Sequence, residues 1–497
     1  MKFDSIEELY IHGEYQKILD FPNDSLDQIQ SAILNSYKSR SLIRLGKIHE
    51  SETLVSGFEV RKLNTDSSIA DLINETSLFN LLNTLGRSKT VIERSETNNI
   101  IDDLQVKNGS LSGFWACFYF YLVGMAYYYE LDYEKSTNCY LKSLEINKNN
   151  QYIKGKSYYY LGYIALEQDD QKNFIKYTDQ SLEILKSLHA NQAISWIYIW
   201  RGNQLIQKGD YIQAEDYLNQ AFDLVNSVGG AQETNFIKSL LGLISYNNGE
   251  LEKAKELLNE SFSVSAKLGN PMLTSYILLP FIVVNLESGN SNRKFIEDNL
   301  KIFEQFNKDR RVLSLLKLAQ AIFLKSSPKF VDKAKAQSIF IELLEKLETE
   351  SNFVSSSGDK TTRFLLTINL AEIYYLEFLT SKDLSTLADI QELIDNFRNK
   401  SKNEIIHETI LISILKSKIL IVEGKIEEAL NELNSALLIA TENEYTKLIE
   451  DINKEIRLVH SEIGKWGIQS NILDRIKAVD MELYIKEAQK VAGFETH

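Results

Sequence analysis

Four glycines, Gly124, Gly162, Gly202 and Gly242, return every 38 to 40 residues along this chain. Recurrence at such a period marks a stacked repeat architecture and overrides any reading of the segments one at a time. Seven residues after each glycine comes a turn: Leu131-Asp132-Tyr133, Asp169-Asp170, Gly209-Asp210-Tyr211 and Gly249-Glu250-Leu251. Twelve residues after each stands Ser136, Phe174, Ala214 or Ala254. Both flanks of each turn carry apolar residues at helical spacing. In the unit around Gly202 these are Trp196, Tyr198, Ile199, Leu205 and Ile206 before the turn, then Tyr211, Ala214, Leu218, Ala221 and Leu224 after it. A glycine inside a helix costs about 1 kcal/mol against alanine. Its return in every unit therefore predicts a close helix crossing, where a small residue faces a large one. The repeated element is an αα-hairpin.

Composition supports helix throughout. The chain has 4 prolines in 497 residues, where average usage of about 5% would give roughly 25. A chain of this length exceeds what one hydrophobic core organises, and the repeat selects a solenoid over several globular domains. Lys and Arg number 55 against 69 Asp and Glu, a net charge of −14. Such a field disfavours nonspecific attraction to nucleic acid. Two cysteines, Cys117 and Cys139, build neither a disulfide framework nor a four-ligand zinc site. With no apolar stretch of signal-peptide type near Met1, a cytoplasmic location is expected.

Two uncharged runs, 108–129 and 268–286, reach membrane-spanning length. The first is crowded with tyrosines and the second carries Asn270, Pro271, Pro280 and Asn285; both fall in register with the first helix of a unit, so no membrane span is expected. Catalytic signatures are missing: there is no phosphate-binding Gly-x-x-x-x-Gly-Lys, no Gly-x-Gly-x-x-Gly and no Gly-x-Ser-x-Gly. The six histidines are scattered singly. His407-Glu408 begins like a zinc-protease helix, but the residue four positions on is Leu411. The expectation is a protein that is not an enzyme and needs no cofactor or metal.

The repeat resembles the tetratricopeptide repeat in a long-period form. The resemblance rests on Phe120, Val123, Gly124, Tyr127, Tyr133, Ser136, Tyr140 and Ser143 in one unit, and on Tyr198, Gly202, Leu205, Tyr211, Ala214, Leu218 and Ala221 in another. Leu241, Gly242, Leu251, Ala254, Leu258 and Ser261 carry it in a third. Arg201 and Lys238 depart from it, since they occupy usually apolar positions, and the closing proline is missing. The run from Arg310 to Trp466 is loosely similar to multi-repeat proteins of archaeal genomes.

The resemblance implies an all-α fold: an α-solenoid of about eleven helix-turn-helix hairpins in a right-handed superhelix, closed by a C-terminal capping helix. It divides the chain into divergent hairpins over 1–110, a core over 111–308, divergent hairpins over 309–463 and a capping segment over 464–497. The core comprises the units around the four glycines and a pair at 273–306. Further pairs are expected at 310–348 and 361–398, degenerate turns at Gly13, Gly46 and Gly86, and loops over 57–68, 95–112 and 351–360. One amphipathic helix is expected over 472–491.

In this family the concave face is lined by first-helix residues six and three positions before the glycine and one and four after it. Here these are Phe118, Tyr121, Met125 and Tyr128; Lys156, Tyr159, Tyr163 and Leu166; Trp196, Ile199, Asn203 and Ile206; Phe236, Ser239, Leu243 and Tyr246; and, by extrapolation, Tyr276. Tyr121, Tyr128, Lys156, Tyr159, Tyr163, Trp196, Asn203 and Tyr246 are the candidate binding residues. A row of rings with polar handles suits an extended or helical peptide segment. Of the chaperone carboxylate clamp, only Lys156 and Asn203 are of the right type, and not in its arrangement, so a chaperone tail is not the expected ligand. The expected function is an interaction scaffold for a protein or peptide, with a ligand-responsive signalling protein as the alternative.

Overall fold

The computed structural model describes residues 3–22, 28–45, 47, 50–51, 53–54, 114–463 and 472–488, with short breaks at 130–131, 148–149, 169, 229, 269–270, 289–292, 305–309, 350–356, 384, 401–405, 482 and 486–487. The expected turn at Gly86 and the loops over 57–68 and 95–112 lie outside the described residues, as does most of the turn at Gly46. Among the described residues every regular element is helical.

At the N-terminus, α1 (Phe3–Ile11), α2 (Tyr15–Leu19) and α3 (Gln28–Arg44) pack on one another. The core is made of α4 (Phe114–Tyr129) with α5 (Tyr133–Ile146), α6 (Gln151–Glu167) with α7 (Gln171–Ser187), α8 (Asn191–Lys208) with α9 (Tyr211–Val228), and α10 (Ala231–Asn247) with α11 (Leu251–Leu268). It continues with α12 (Pro271–Glu287) and α13 (Arg293–Glu304), α14 (Arg310–Lys325) with α15 (Phe330–Thr349), and α16 (Ser357–Ser381) with α17 (Ser385–Lys400). The pair α18 (Ile406–Glu423) and α19 (Ile426–Glu442) follows, then α20 (Thr446–Ile463) and α21 (Ile472–Val479). Each hairpin also packs on the next, so the chain is a helical-repeat solenoid.

The repeat glycines sit where the helices of a hairpin cross. A Cβ added to Gly124 would lie 3.0 Å from the ring of Tyr140, and one on Gly162 2.8 Å from Cγ2 of Thr178. At Gly202 and Gly242 the corresponding partners are Leu218 and Leu258, each at 3.0 Å. Small residues on the second helix complete the fit. Ser136 Oγ donates to the Gly124 carbonyl at 2.7 Å, and Ser143, Ser181 and Ser261 donate to the carbonyls of Cys117, Gly155 and Asn235. These serines stay buried because each hydroxyl has a backbone acceptor.

The turns read from sequence are helix caps. Asp132, Asp170 and Asp210 each accept the backbone N–H three residues on, at 3.0 to 3.1 Å, so each satisfies a donor that a helix start leaves open. The two charged departures from the repeat also have partners: Arg201 pairs with Asp179, and Lys238 with Glu260 at 2.6 Å. α12 starts on Pro271, where a fixed φ and a missing N–H suit the first helical turn. No helix among the described residues is long and apolar enough to cross a membrane.

Two expectations fail locally. Ser357 to Lys360 belong to α16, not to a loop. The Ser-Gly-Asp composition read there as a loop is equally that of a helix start. The helix expected over 472–491 ends at Val479, and Asp480 has φ +41° before helical residues resume. The break frees the Val479 carbonyl, which accepts a hydrogen bond from the buried Lys418 Nζ at 2.8 Å.

The coil also closes on itself. The loop between α19 and α20 meets the core along one edge: Gln171 Nε2 donates to the Tyr445 hydroxyl at 3.4 Å, across 274 positions of sequence. Lys208 faces Glu444 at 3.9 Å, and a Cβ placed on Gly209 would lie 2.5 Å from Cβ of Lys447. At the other end of these helices the His12 ring lies 6.4 Å from that of His189. Hairpins far apart in the sequence thus touch.

Candidate functional site

Aromatic rings on the first helices form a ladder through the core. Tyr121 stands 5.9 Å from Tyr160, Tyr160 6.0 Å from Tyr128, and Tyr128 5.3 Å from Tyr163, by ring centroids. Tyr163 continues to Trp200 at 4.6 Å, Trp200 to Trp196 at 5.7 Å, and Trp196 to Phe236 at 6.1 Å. The ladder spans α4, α6, α8 and α10. These separations are those at which offset and edge-to-face ring pairs attract.

Four of the sequence-derived candidates, Tyr121, Tyr128, Tyr163 and Trp196, belong to this ladder. Lys156 and Tyr159 border it: the Lys156 ammonium lies 4.1 Å from the centroid of Tyr159 and 5.2 Å from that of Tyr160, a cation–π arrangement. Asn203 makes no ring or hydrogen-bond contact with the ladder, and Tyr246 is buried near the C-terminal end of α10. The side chains of Phe118 and Tyr276 lie outside the described residues. The row expected to line an open groove is mostly closed over: Tyr121, Lys156, Tyr159, Asn203 and Tyr246 are all buried, and Tyr128, Tyr163 and Trp196 keep partial exposure.

Counting from the glycine missed two rungs. Tyr160 and Trp200 stand two residues before Gly162 and Gly202, so their equivalence was written in the repeat. That offset was assigned to neither face, although an aromatic recurring at one register position is a signal in itself. It also missed Glu233, in the first turn of α10, whose Oε1 accepts from Trp196 Nε1 at 2.9 Å and from Gln192 Nε2 at 2.7 Å.

Burial, reinforced by Tyr163, Glu167 and Tyr133, pushes the Tyr128 hydroxyl well above the ordinary tyrosine range. Burial does the same to Tyr484, with Glu455 and Asp451 adding to it. The folded chain therefore holds these protons more tightly than the unfolded one does. Stability from this source is intact below about pH 10 and falls as pH rises beyond it toward the folded-state values. Urea midpoints across that range, read with ultraviolet phenolate titration, should fall together with delayed phenolate formation. A midpoint that holds while the buried phenols ionise contradicts this.

Among the described residues no group of three or more His, Cys, Asp or Glu side chains is placed to hold a metal ion. His407, at the start of α18, is buried with its ring 5.6 Å from that of Tyr445.

No family model matches the chain, and no curated protein sequence does. Solved structures do. A Rap protein complexed with Competence and Sporulation Factor is 10% identical, with 75% of this chain and 99% of that one covered at a TM-score of 0.50. The apo form of RapI is 11% identical over 75% and 99%, at 0.47. The human IFIT1 dimer with PPP-AAAA is 14% identical over 91% and 94%, at 0.43. At these identities the likeness to the Rap complex is one of fold alone: a solenoid of helical hairpins, as the tetratricopeptide resemblance implies.

Proposed function

We propose that this protein is a scaffold whose first helices grip a peptide, or a peptide-like segment of a partner protein, along the aromatic ladder. The observation that carries the reading is the continuity of the rings from Tyr121 to Phe236 across four hairpins, with Tyr128, Tyr163 and Trp196 partly exposed. Stacked rings offer contact area at low conformational cost, and tyrosine and tryptophan add a polar edge that can bond a peptide backbone. The net charge of −14 argues for a polypeptide partner over nucleic acid.

The test is the full chain on a peptide array, compared with a Tyr159→Ala/Tyr163→Ala/Trp196→Ala variant. Loss of about tenfold or more in affinity is expected, since buried aromatic anchors carry most of an interface's energy. Helicity should be retained. An Ile212→Ala control, at a residue 86% exposed and away from the ladder, should bind as the parent does. Undiminished capture by the triple variant overturns the groove.

A second reading, in which the ligand changes the superhelix, is favoured by the edge contact between Gln171 and Tyr445. A ligand that changed the superhelix would part that contact. Small-angle scattering of the chain with and without an array-selected peptide should then show expansion; an unchanged curve leaves the scaffold passive.

A further inference from the structure

Glu233 is 1% exposed and makes no ion pair among the described residues. One carboxylate oxygen takes the two neutral donors of Gln192 and Trp196; the other, Oε2, accepts nothing. Oε2 lies against Gly230, where an added Cβ would stand 2.8 Å away. Its place in the first turn of α10 compensates part of its charge through the helix dipole. A carboxylate withdrawn from water still demands more than two neutral hydrogen bonds.

Its surroundings are incomplete in the complementary sense. The indole N–H of Trp200 and the carboxamide nitrogen of Gln232, both buried, have no acceptor. Trp196, Trp200 and Phe236 stand within 5.7 to 6.1 Å of one another, and the Trp196 N–H is bonded to the carboxylate. The acid thus borders the ring cluster, and half-buried Trp196 is the member open to solvent. A carboxylate beside aromatic faces is suited to an organic cation, which takes charge-assisted hydrogen bonds from one and cation–π attraction from the other. The unmatched donors of Trp200 and Gln232 call for carbonyl oxygens. A peptide carrying lysine or arginine brings both at once.

We propose that Glu233, with Trp196 and Trp200, forms the subsite that receives a lysine or arginine side chain of the bound segment. This rests on the scaffold reading above and specifies its ligand.

The test uses the full chain and an array of acetylated, amidated heptapeptides in which each position is varied through all side chains. Binders should share one position restricted to Lys or Arg. Replacing that residue by citrulline or norleucine should lower affinity about tenfold or more, the scale of losing one partner of a buried charge pair. Glu233→Gln, which keeps the side chain's shape, should abolish the preference and leave binding that still depends on Tyr163. Ladder-dependent binding with no basic position overturns the subsite, leaves the scaffold standing, and makes Glu233 a helix-start acid only. No ladder-dependent binding at all sinks both. Should Glu233→Gln unfold, the arginine-to-citrulline comparison on the parent chain decides alone.

Discussion

Gly209→Ala is expected to open the coil, and Gly249→Ala is expected to leave it closed. Both glycines end first helices at equivalent positions and both have left-handed backbone, with φ +79° and +81°. An alanine forced into that conformation costs about 1 to 2 kcal/mol at either site. The surroundings differ. A Cβ on Gly249 meets nothing within 4 Å, whereas one on Gly209 would sit 2.5 Å from Cβ of Lys447, an atom held close to the backbone of α20. That overlap must be relieved by separating the two turns or by overpacking, at about 1 to 3 kcal/mol more. Thermal melts should therefore place Gly209→Ala below Gly249→Ala, and scattering should show a larger radius for Gly209→Ala alone. Equal melting points and equal radii would remove the edge contact as a determinant of the coil.

Glu455→Gln should cost more than any other conservative change at the C-terminal end. Lys418, 2% exposed by side chain, projects from α18 to meet Glu455 of α20 at 2.7 Å, the Val479 carbonyl at 2.8 Å and the ring of Tyr484 at 5.3 Å. Burial pulls the Lys418 ammonium below the ordinary lysine range, and Glu455 opposes that pull. Removing the carboxylate leaves a cation in the interior, a loss of about 3 kcal/mol. Lys418→Met combined with Glu455→Gln removes the charge with its partner and should recover most of that loss. The pH dependence distinguishes this from lost packing. In Glu455→Gln the folded state releases the Lys418 proton at lower pH than the parent does, so stability should rise with pH up to about 10 more steeply than the parent's. Urea midpoints of the parent and the two variants against pH test both statements; a double variant as weak as Glu455→Gln sinks the account.

Much of the core was legible because its causes are local. Aspartates at 132, 170 and 210 cap helices through contacts three residues long, and the glycines meet partners sixteen positions further on, within one hairpin. The same local grammar failed where one composition serves two structures. Ser357-Gly358-Asp359 has the residues of a loop and forms a helix start. Residues 472–491 have the periodicity of one helix, yet the chain breaks at Asp480, where a lysine on another helix accommodates the freed carbonyl.

The candidate site was half legible. Tyr121, Tyr128, Tyr163 and Trp196 were placed by register, and the structure joins them through Tyr160 and Trp200, which register assigned to no face. Glu233 looked like any acid at a helix start. Only the arrival of Gln192 and Trp196 from the preceding hairpin distinguishes it.

By itself the sequence determined the hairpin and its period, because these follow from the spacing of glycine, aspartate and apolar side chains along one or two helices. The tertiary structure decided how far the coil winds. Contacts such as Gln171 with Tyr445 join residues 274 positions apart, and their formation depends on small crossing angles accumulated over many hairpins. That winding brings distant hairpins together, whereas the rings of the ladder are packed by their own and neighbouring hairpins.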